Sequence, residues 1–297
     1  MSLSTANLQR SRSDFHSANL GDYLSLLKPR VMSLVIFTGF IGLYMAPGKI
    51  HPAIAVIAIL CIALASGGSG ALNMWYDRDI DSIMSRTKNR PIPSEKIHPS
   101  EALHLGLFLS FLSVAIMGLM VNVLSASLLA FTIFFYSVIY TVWLKRSTVQ
   151  NIVIGGAAGA LPPIIGWAAV SNNVSIEPIV LFLIIFIWTP PHFWALALES
   201  SDDYKKAKIP MMPIVVGKKS TKIQIFIYTL LLFFTTLLPY TLNMAGLGYL
   251  TVAVVSGFIF LYYSYKLFKS EDYNMKTFKY SILYLFIIFL TLAIDKV

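Results

Sequence analysis

The sequence predicts an all-α membrane protein whose chain crosses the bilayer nine times. Of its 297 residues, 57% are hydrophobic and only 12% are charged, and the mean hydropathy is +0.72. A soluble domain carries about 25% charged residues. The apolar residues form continuous blocks of 17 to 22 residues, the length that a helix needs to cross a hydrocarbon core of about 30 Å. Strands of a membrane barrel would instead alternate apolar and polar residues.

Nine such blocks follow one another along the chain. Acidic or basic residues enter them only at Glu177 and Lys279, each near the end of a block. Residues 1–22 are polar and are predicted to form a disordered tail, whereas residues 23–297 are predicted to form one membrane domain. The predicted spans are 31–47, 53–73, 103–121, 124–143, 151–170, 176–197, 223–241, 246–265 and 278–294.

The distribution of basic residues predicts an orientation. The formal net charge is +9, and nine spans place 21 of the 23 Lys and Arg residues on one face, leaving Lys49 and Lys296 on the other. Because cytoplasmic loops carry the positive excess, we expect a cytoplasmic N-terminus and a periplasmic C-terminus in a cell inner membrane, or alternatively in the mitochondrial inner membrane. This orientation explains the basic surplus without a nucleic-acid partner. The single cysteine, Cys61, excludes an intrachain disulfide and a cysteine-based zinc site.

Polar residues recur at four-residue intervals where the second span ends: Asn73, Asp77 and Asp81. If the span stays helical, the three share one face, about one turn apart, and Asp79 points to the opposite side. Stacked carboxylates repel one another, and the dipole at a helix C-terminus disfavours negative charge. The arrangement therefore needs a cation, and its hard oxygen ligands favour Mg²⁺ shared with a phosphate.

Basic residues follow this motif directly, at Arg86, Lys88 and Arg90. Side chains of this kind are suited to holding an anion, so a divalent metal together with a diphosphate fits both signs of charge. The alternative is a solvated helix end whose mixed charges pair with one another.

A second acidic cluster follows the sixth span. Glu199 and Asp203 are again four residues apart, Asp202 is adjacent, and lysines follow. Because an acidic helix end followed by a basic loop occurs twice, four spans apart, we infer a possible tandem repeat of four helices with the ninth helix extra. Two carboxylate sets that face each other would each hold a Mg²⁺ and clamp one diphosphate. The alternative is that Glu199 and Asp202 are surface acids.

Four separated segments carry further motifs: LLKPRVMSL (26–34), NMWYDRDID with RTKNRPIPS (73–94), YTVWLKRSTVQNIVIGGAAGALPPIIGWAAV (140–170), and PPHFWALAL with DDYKKAKIPMMPIVVG (190–217). Together they resemble the protoheme IX farnesyltransferases, a family of the intramembrane aromatic prenyltransferase superfamily. The resemblance implies nine helices around a central cavity that opens to lipid. It also implies transfer of farnesyl from farnesyl diphosphate to a vinyl group of haem B, with water added, giving haem O and diphosphate for haem A biosynthesis. Haem A synthase or oxidase assembly proteins would be partners.

The resemblance also implies roles for individual residues, including ligands for two Mg²⁺ ions. The metal ligands would be Asn73, Asp77 and Asp81 in the first motif, with Asp203 and, less closely matched, Glu199 in the second. The diphosphate would be bound by Arg86, Arg90, Lys145, Arg146 and Tyr204. Lys28 and Arg30 flank span 1 on the same face, where they would meet the diphosphate or a haem propionate.

Three other features of the spans invite interpretation. His192 would ligate haem iron or orient the porphyrin, but a neutral histidine bonded to a neighbouring helix fits equally well. Small residues at Gly155, Gly156 and Gly159 predict close helix packing, and the Pro162-Pro163 pair predicts a kink.

Two other functions compete with haem farnesylation. A sister enzyme that prenylates a quinone precursor, such as 4-hydroxybenzoate, would share the metal site and differ in the acceptor pocket. An ion-coupled transporter is the distant alternative. It would place its ionisable residues near the bilayer midplane, whereas these acidic clusters lie at the predicted cytoplasmic ends of the spans.

Overall fold

The computed structural model describes residues 18–297, and this part of the chain is almost entirely helical. In it, the one β-type pairing is an isolated bridge between Ala245 and Lys296. Eight helices are long and apolar enough to cross a membrane, and a bent pair near the N-terminal end supplies a ninth span. The predicted fold class is therefore confirmed.

The nine spans include continuous α-helices, α-helices broken in two, and one span that ends as a π-helix. The first four are α2 (Pro29–Met45), α3 (Pro52–Tyr76), α5 (Pro99–Met120), and α6 (Val123–Phe134) continued by the π-helix π1 (Phe135–Leu144). The last five are α7 (Asn151–Ala160) with α8 (Pro162–Ser171), α9 (Ile176–Glu199), α12 (Lys218–Thr235) with α13 (Leu238–Thr241), α14 (Leu247–Lys266) and α15 (Tyr273–Ile294). Short helices precede or connect them: α1 (Leu20–Leu26), α4 (Arg78–Ile83), α10 (Ser201–Lys206) and α11 (Met212–Val215).

Two spans begin about one turn earlier than predicted. Span 7 starts at Lys218 instead of 223, and span 9 starts at Tyr273 instead of 278. Their first turns carry lysines, which lower the local hydropathy. Lysine stems lie along apolar surface while the ammonium stays in water, so these turns are compatible with the membrane face.

The first described helix begins close to residue 22, the boundary predicted between tail and domain. Residues 1–17 of the predicted tail lie outside the described part of the chain, but α1 begins at Leu20. Asn19 and Asp22 form a reciprocal capping box: the Asn19 side chain accepts from the Asp22 backbone N–H at 3.0 Å, and Asp22 accepts from that of Asn19 at 3.1 Å. Lys96 donates to Asp22 at 3.0 Å, and Leu26 is fully buried.

Helix α1 meets α2 at a sharp bend of 55°. Lys28 adopts a left-handed backbone with φ of 53°, and the ring of Pro29 cannot follow a helical residue without steric conflict. The bend places the Lys28 side chain at the junction, next to the end of α3.

The order of helix neighbours is the same in the two halves. Spans 1 to 4 pack in sequence, each on the next, and spans 5 to 8 do the same. A six-residue acidic helix follows the second span of each half, α4 in the first and α10 in the second. This arrangement is the one that the predicted four-helix repeat requires.

Span 5 is broken in the middle, as the proline pair predicts. Helix α7 ends at Ala160 and α8 begins at Pro162. Helix α8 then packs on α2 with backbone in contact with backbone. A Cβ added at Gly42 would lie 2.1 Å from the Pro163 carbonyl oxygen, and one added at Gly166 would lie 2.0 Å from that of Gly39.

Close packing explains two of the three glycines of α7. A Cβ at Gly155 would lie 2.2 Å from the Tyr140 ring, and one at Gly156 would lie 2.8 Å from the Thr189 methyl group. The prediction is wrong for Gly159, because no atom lies within 4 Å of a Cβ added there. Gly159 lines a cavity instead of a helix contact.

Residue 297 lies on the face opposite the acidic motifs. Lys296 donates to the Tyr44 carbonyl at the far end of span 1 at 2.7 Å. The Gly246 backbone N–H, at the start of span 8, donates to the Asp295 carbonyl at 3.1 Å. An odd number of crossings therefore separates residue 18 from residue 297.

Candidate metal and diphosphate site

The structure brings Asn73, Asp77 and Asp81 together in one buried column. Helix α3 ends at Tyr76, but the helical bond pattern continues into α4: the Asp77 N–H donates to the Asn73 carbonyl at 2.9 Å, and the Asp81 N–H donates to the Asp77 carbonyl at 2.8 Å. The Asn73 amide also donates to the Asp77 carboxylate at 2.8 Å. Asp77 and Asp81 are only 0% and 2% exposed, so both need compensating charge.

Three predicted basic residues supply that charge, each from a different element. Lys28 donates to the Asn73 amide oxygen, and Lys145 donates to the Asp77 carboxylate. The Arg90 guanidinium donates to the Asp81 carboxylate at 2.6 Å. A buried carboxylate left without such a partner would destabilise the fold by several kcal/mol. The column is therefore held by the α1–α2 junction, the loop after α4 and the residue after π1.

Arg146 contacts two acids, Asp77 and Asp79, that point to opposite sides of the α3–α4 junction. Its guanidinium makes two parallel hydrogen bonds to Asp79, each 2.7 Å long, and approaches Asp77 at 3.4 Å. It also lies over the Tyr76 ring at 5.0 Å. Burial is the largest single effect on the pKa of Asp79 and raises it, but the hydrogen bonds and charge of Arg146, together with backbone N–H groups at Asp79 and Ile80, hold that pKa below its ordinary value. Asp79 points away from the column, as predicted.

The loop after α4 folds back over the column. The Thr87 hydroxyl donates to the Asp81 carbonyl at 3.0 Å, and the Arg90 N–H donates to the Thr87 carbonyl at 2.9 Å. The Ser85 hydroxyl donates to Asp203 in α10 at 2.9 Å. Arg86 in the same loop is exposed.

The π-helix contributes residues that sequence reasoning missed. The Asn73 amide donates to the Thr141 hydroxyl at 3.1 Å, which in turn donates to the Tyr136 carbonyl at 2.8 Å. The Lys145 N–H donates to the Tyr140 carbonyl, five residues back, at 2.9 Å. The wider turn of a π-helix thereby turns Thr141 and Lys145 toward the column. The apolar sequence Phe135–Leu144 carries no signal that distinguishes this turn from an α-helix.

An apolar cavity opens beside the column and continues into the membrane-spanning region. Lys28, Ser69 and Tyr136 line it near the column, and spans 1, 2, 4 and 5 form its walls. Its deeper lining is apolar, formed by Val31, Val35, Ile62, Ala65, Leu129, Ile133, Ala158, Gly159, Pro162 and Ile165.

The donor set of the column fits Mg²⁺. It offers two carboxylates and one amide oxygen, all hard ligands, beside three cations that an anion would attract. Within residues 18–297, no three acidic, histidine or cysteine side chains converge on one point. The protein therefore supplies part of a coordination sphere, and a diphosphate and water would complete it, as is usual for Mg²⁺.

Comparison with known proteins agrees with this site. A model of the UbiA prenyltransferase family matches residues 35–291. The chain belongs to the UbiA prenyltransferase family. It is 55% identical over 296 residues to the protoheme IX farnesyltransferase of Rickettsia bellii, covering 99% of each chain. It is 58% identical over 289 residues to the protoheme IX farnesyltransferase of Rhizobium johnstonii, covering 95% of this chain and 92% of that one.

Solved UbiA structures share the fold. A UbiA homologue from Archaeoglobus fulgidus, bound to GPP and Mg²⁺, superposes with a TM-score of 0.67 over 91% of this chain and 99% of that one. The two sequences are 17% identical, so the likeness concerns the arrangement of helices.

The second acidic motif of this UbiA protein reaches the first through the loop after α4. Asp203 bonds Ser85 of that loop, and Tyr204 is buried in a cluster with Ile80 and Met84 of the first half. Glu199 instead accepts a hydrogen bond of 3.4 Å from Asn274 in span 9. The metal-binding roles of Asp203 and Glu199 stay predictions.

The remaining predicted site residues lie apart from the column. Arg30 is exposed on the first turn of α2. The His192 ring is sandwiched between Trp188 and Phe278, at 4.2 and 4.5 Å, and its Nδ1 bonds the Ser281 hydroxyl at 2.6 Å. These contacts fix the ring and engage Nδ1, and ligation of a haem iron by His192 stays a prediction.

Replacing Lys145 with methionine should destabilise the metal-free protein by about 3 kcal/mol, because it removes the ammonium that compensates the buried Asp77. The Asp77→Asn/Lys145→Met double variant should lose less than the two single variants together, since it removes both charges. Thermal unfolding in detergent without divalent metal measures these effects. Lys206→Met, which removes an exposed lysine, should unfold as the wild type does. A Lys145→Met protein of wild-type stability would contradict the pairing.

Proposed function

We propose that this protein transfers a farnesyl group from farnesyl diphosphate to a vinyl group of haem B, with addition of one water, and releases haem O and diphosphate. The observation that carries the proposal is the buried column of Asn73, Asp77 and Asp81, ringed by cations at the mouth of an apolar cavity. A prenyl diphosphate has the same division into a polyanionic head and an apolar tail.

The cations around the column are suited to the diphosphate. The three column residues accept hydrogen bonds from Lys28, Lys145 and Arg90. A diphosphate with its metal would share these positive charges. Magnesium held by Asp77, Asp81 and the Asn73 amide oxygen would act as a Lewis acid on the leaving group. A second ion at Asp203 and Glu199 belongs to the same proposal.

The fixed positive groups favour cleavage of the allylic C–O bond. Negative charge grows on the bridging oxygen as that bond breaks, and preorganised donors such as Lys145 and Arg90 stabilise it without reorganising. The apolar cavity would keep bulk water from the allylic cation until the haem vinyl group captures it.

The acceptor is inferred from the relatives. The curated proteins of Rickettsia bellii and Rhizobium johnstonii are protoheme IX farnesyltransferases, and their similarity to this chain extends over nearly its full length. Haem B carries two propionates at one edge, so it needs cations beyond those that hold the diphosphate. We assign that role to Arg30, which is exposed on the first turn of α2, and keep the exposed Arg86 with the diphosphate. Delivery of the product to a haem A synthase or an oxidase assembly protein belongs to the same proposal.

Two observations weigh against the competing functions. The column and its cations lie at one end of the helices, at the end of α3, and a transporter would place them near the midplane. A sister enzyme for 4-hydroxybenzoate would need one cation for its acceptor, and the relatives are named for the haem reaction.

Replacing Asp77 or Asp81 with asparagine should lower kcat by at least about 100-fold, because each change keeps the side-chain shape and removes a charged metal ligand. Product formation from farnesyl diphosphate and haem B, titrated with Mg²⁺, measures the loss. Asp202→Asn, on the exposed side of α10, is the matched control and should keep wild-type activity. Wild-type turnover by either column variant at limiting Mg²⁺ would show that the column does not bind the metal.

Supplying each acceptor in turn with farnesyl diphosphate tests the acceptor assignment. The purified protein should convert haem B to a more hydrophobic, farnesylated haem and leave 4-hydroxybenzoate unchanged. Extraction and mass spectrometry identify the products. Prenylated benzoate with unchanged haem would overturn the haem assignment and leave the prenyltransferase assignment in place.

We also propose that the face carrying the column is cytoplasmic and that the protein lies in a cell inner membrane. Nine spans put 21 of 23 basic residues on that face, and residue 297 lies on the other. A reporter fused after Val297 should behave as exported, and the same reporter inserted after Lys208, in the loop that follows span 6, should behave as cytoplasmic. Both reporters on the cytoplasmic side would contradict the proposed orientation.

A further inference from the structure

We infer that the groove between the last two spans, on the face that carries the column, binds the headgroup of an anionic phospholipid. This α14–α15 groove is lined by four lysines. Lys266 and Lys269 lie at the end of α14 and just beyond it, and Lys276 and Lys279 lie in the first turns of α15. Neither the ligand nor the place is that of the proposed reaction.

Lys279 is a cation inside an apolar span, and no acid compensates it. It lies six residues beyond the start of α15 at Tyr273, about 9 Å along the helix, and its side chain is exposed. A lysine at this depth is costly unless its ammonium reaches the interface or meets a negative group. Within residues 18–297, none of the four lysines forms an ion pair. In the loop between the two helices, Glu271 pairs with Lys218 of α12 at 2.8 Å, and Asp272 is exposed, so the groove keeps an excess of positive charge.

The lysines of the two helices reach one level because the helices are antiparallel. Side chains lean toward the N-terminus of their own helix, so those of α14 lean into the membrane and those of α15 lean toward the water. The Lys266 ammonium accordingly lies over the Tyr262 ring at 5.3 Å, and that of Lys276 lies over the Tyr273 ring at 4.7 Å. The Tyr273 ring is 6.2 Å from that of Tyr263, the neighbour of Tyr262. The two ammonium groups therefore lie at the same depth.

Aromatic rings hold the ammonium groups and close the groove toward the protein. Lys269 lies over the Tyr265 ring at 5.9 Å, and such contacts orient a cation without neutralising it. The rings of Tyr263 and Tyr280, 5.0 Å apart, fill the contact between the two helices. Tyr262 and Tyr265 are about half exposed, as is typical of tyrosines at a membrane interface. Exposed apolar side chains continue the groove deeper into the membrane: Val255, Phe258, Ile259, Leu283 and Phe286.

Charge and depth together identify the occupant. A phospholipid would place its phosphate at the level of the lysines and its acyl chains along the apolar side chains below them, and basic residues between spans are typical of sites for anionic headgroups. A soluble acidic protein would reach Lys269 but not Lys279 inside the span. No arginine follows Arg146 in the sequence. The column uses the rigid fork of arginine, whereas the groove uses only lysine, whose flexible stem follows a moving headgroup.

The test measures binding of tetraoleoyl cardiolipin and dioleoyl phosphatidylcholine to the full-length protein in detergent, by native mass spectrometry. Wild-type protein should bind cardiolipin at least about 10-fold more tightly, since each lysine at a membrane surface strengthens the attraction to anionic lipid about fivefold before salt screens it. The groove variant should raise the Kd for cardiolipin at least about 10-fold for the same reason. This variant combines Lys266→Gln, Lys269→Gln, Lys276→Gln and Lys279→Gln. Its melting temperature in lipid-free detergent should equal that of the wild type, because the four lysines form no ion pair.

The matched control removes four other exposed lysines from the same face: Lys205→Gln, Lys206→Gln, Lys208→Gln and Lys219→Gln. It has the same net charge as the groove variant and should bind cardiolipin as the wild type does. An equal loss in both variants would attribute the binding to net charge and overturn the inference. Displacement of cardiolipin by inorganic phosphate would indicate a site for a free anion and would also overturn it. So would binding of a polyglutamate peptide as tight as that of cardiolipin, which would indicate an acidic protein partner.

Discussion

The burial of two carboxylates at one membrane face is the constraint on which the rest of the site depends. Asp77 and Asp81 are almost fully enclosed, and a buried charge without a partner costs several kcal/mol. Cations must therefore come from elsewhere in the chain, and they arrive from the α1–α2 junction, the loop after α4 and the residue after π1. The same contacts join spans 1, 2 and 4 at one point. The hydrogen bonds and ion pairs that compensate the buried carboxylates therefore also hold these three spans together.

The π-helix is the backbone feature that makes this convergence possible. Its five-residue hydrogen bonds change which residues of span 4 face span 2, so that Thr141 bonds Asn73 while Lys145 meets Asp77. Segments of π-helix are frequent at functional sites. Gly155 completes the arrangement, because its missing side chain leaves room for the ring of Tyr140.

Small residues have two opposite effects in this fold. At the crossing of α2 and α8 they remove all space, and the backbones touch at Gly42 and Gly166. At Gly159 the missing side chain leaves space open. The first effect brings two spans into backbone contact, and the second leaves room in the wall of the cavity. The break of span 5 at Pro162 lies between Gly159 and Gly166, and residues on both sides of the break line the cavity.

The sequence by itself determined the number of spans, their approximate bounds and the column of Asn73, Asp77 and Asp81. Hydropathy and helical periodicity are local, since each depends on residues within a few turns of one another, and the resemblance in four segments indicated the family. The tertiary structure decided which cation meets which acid, the start of α1 at Leu20 and the opposite roles of the glycines. Lys28 and Lys145 are 45 and 68 residues from the residues that they contact. Such pairs form only when helices pack, and no local pattern in the sequence records that packing.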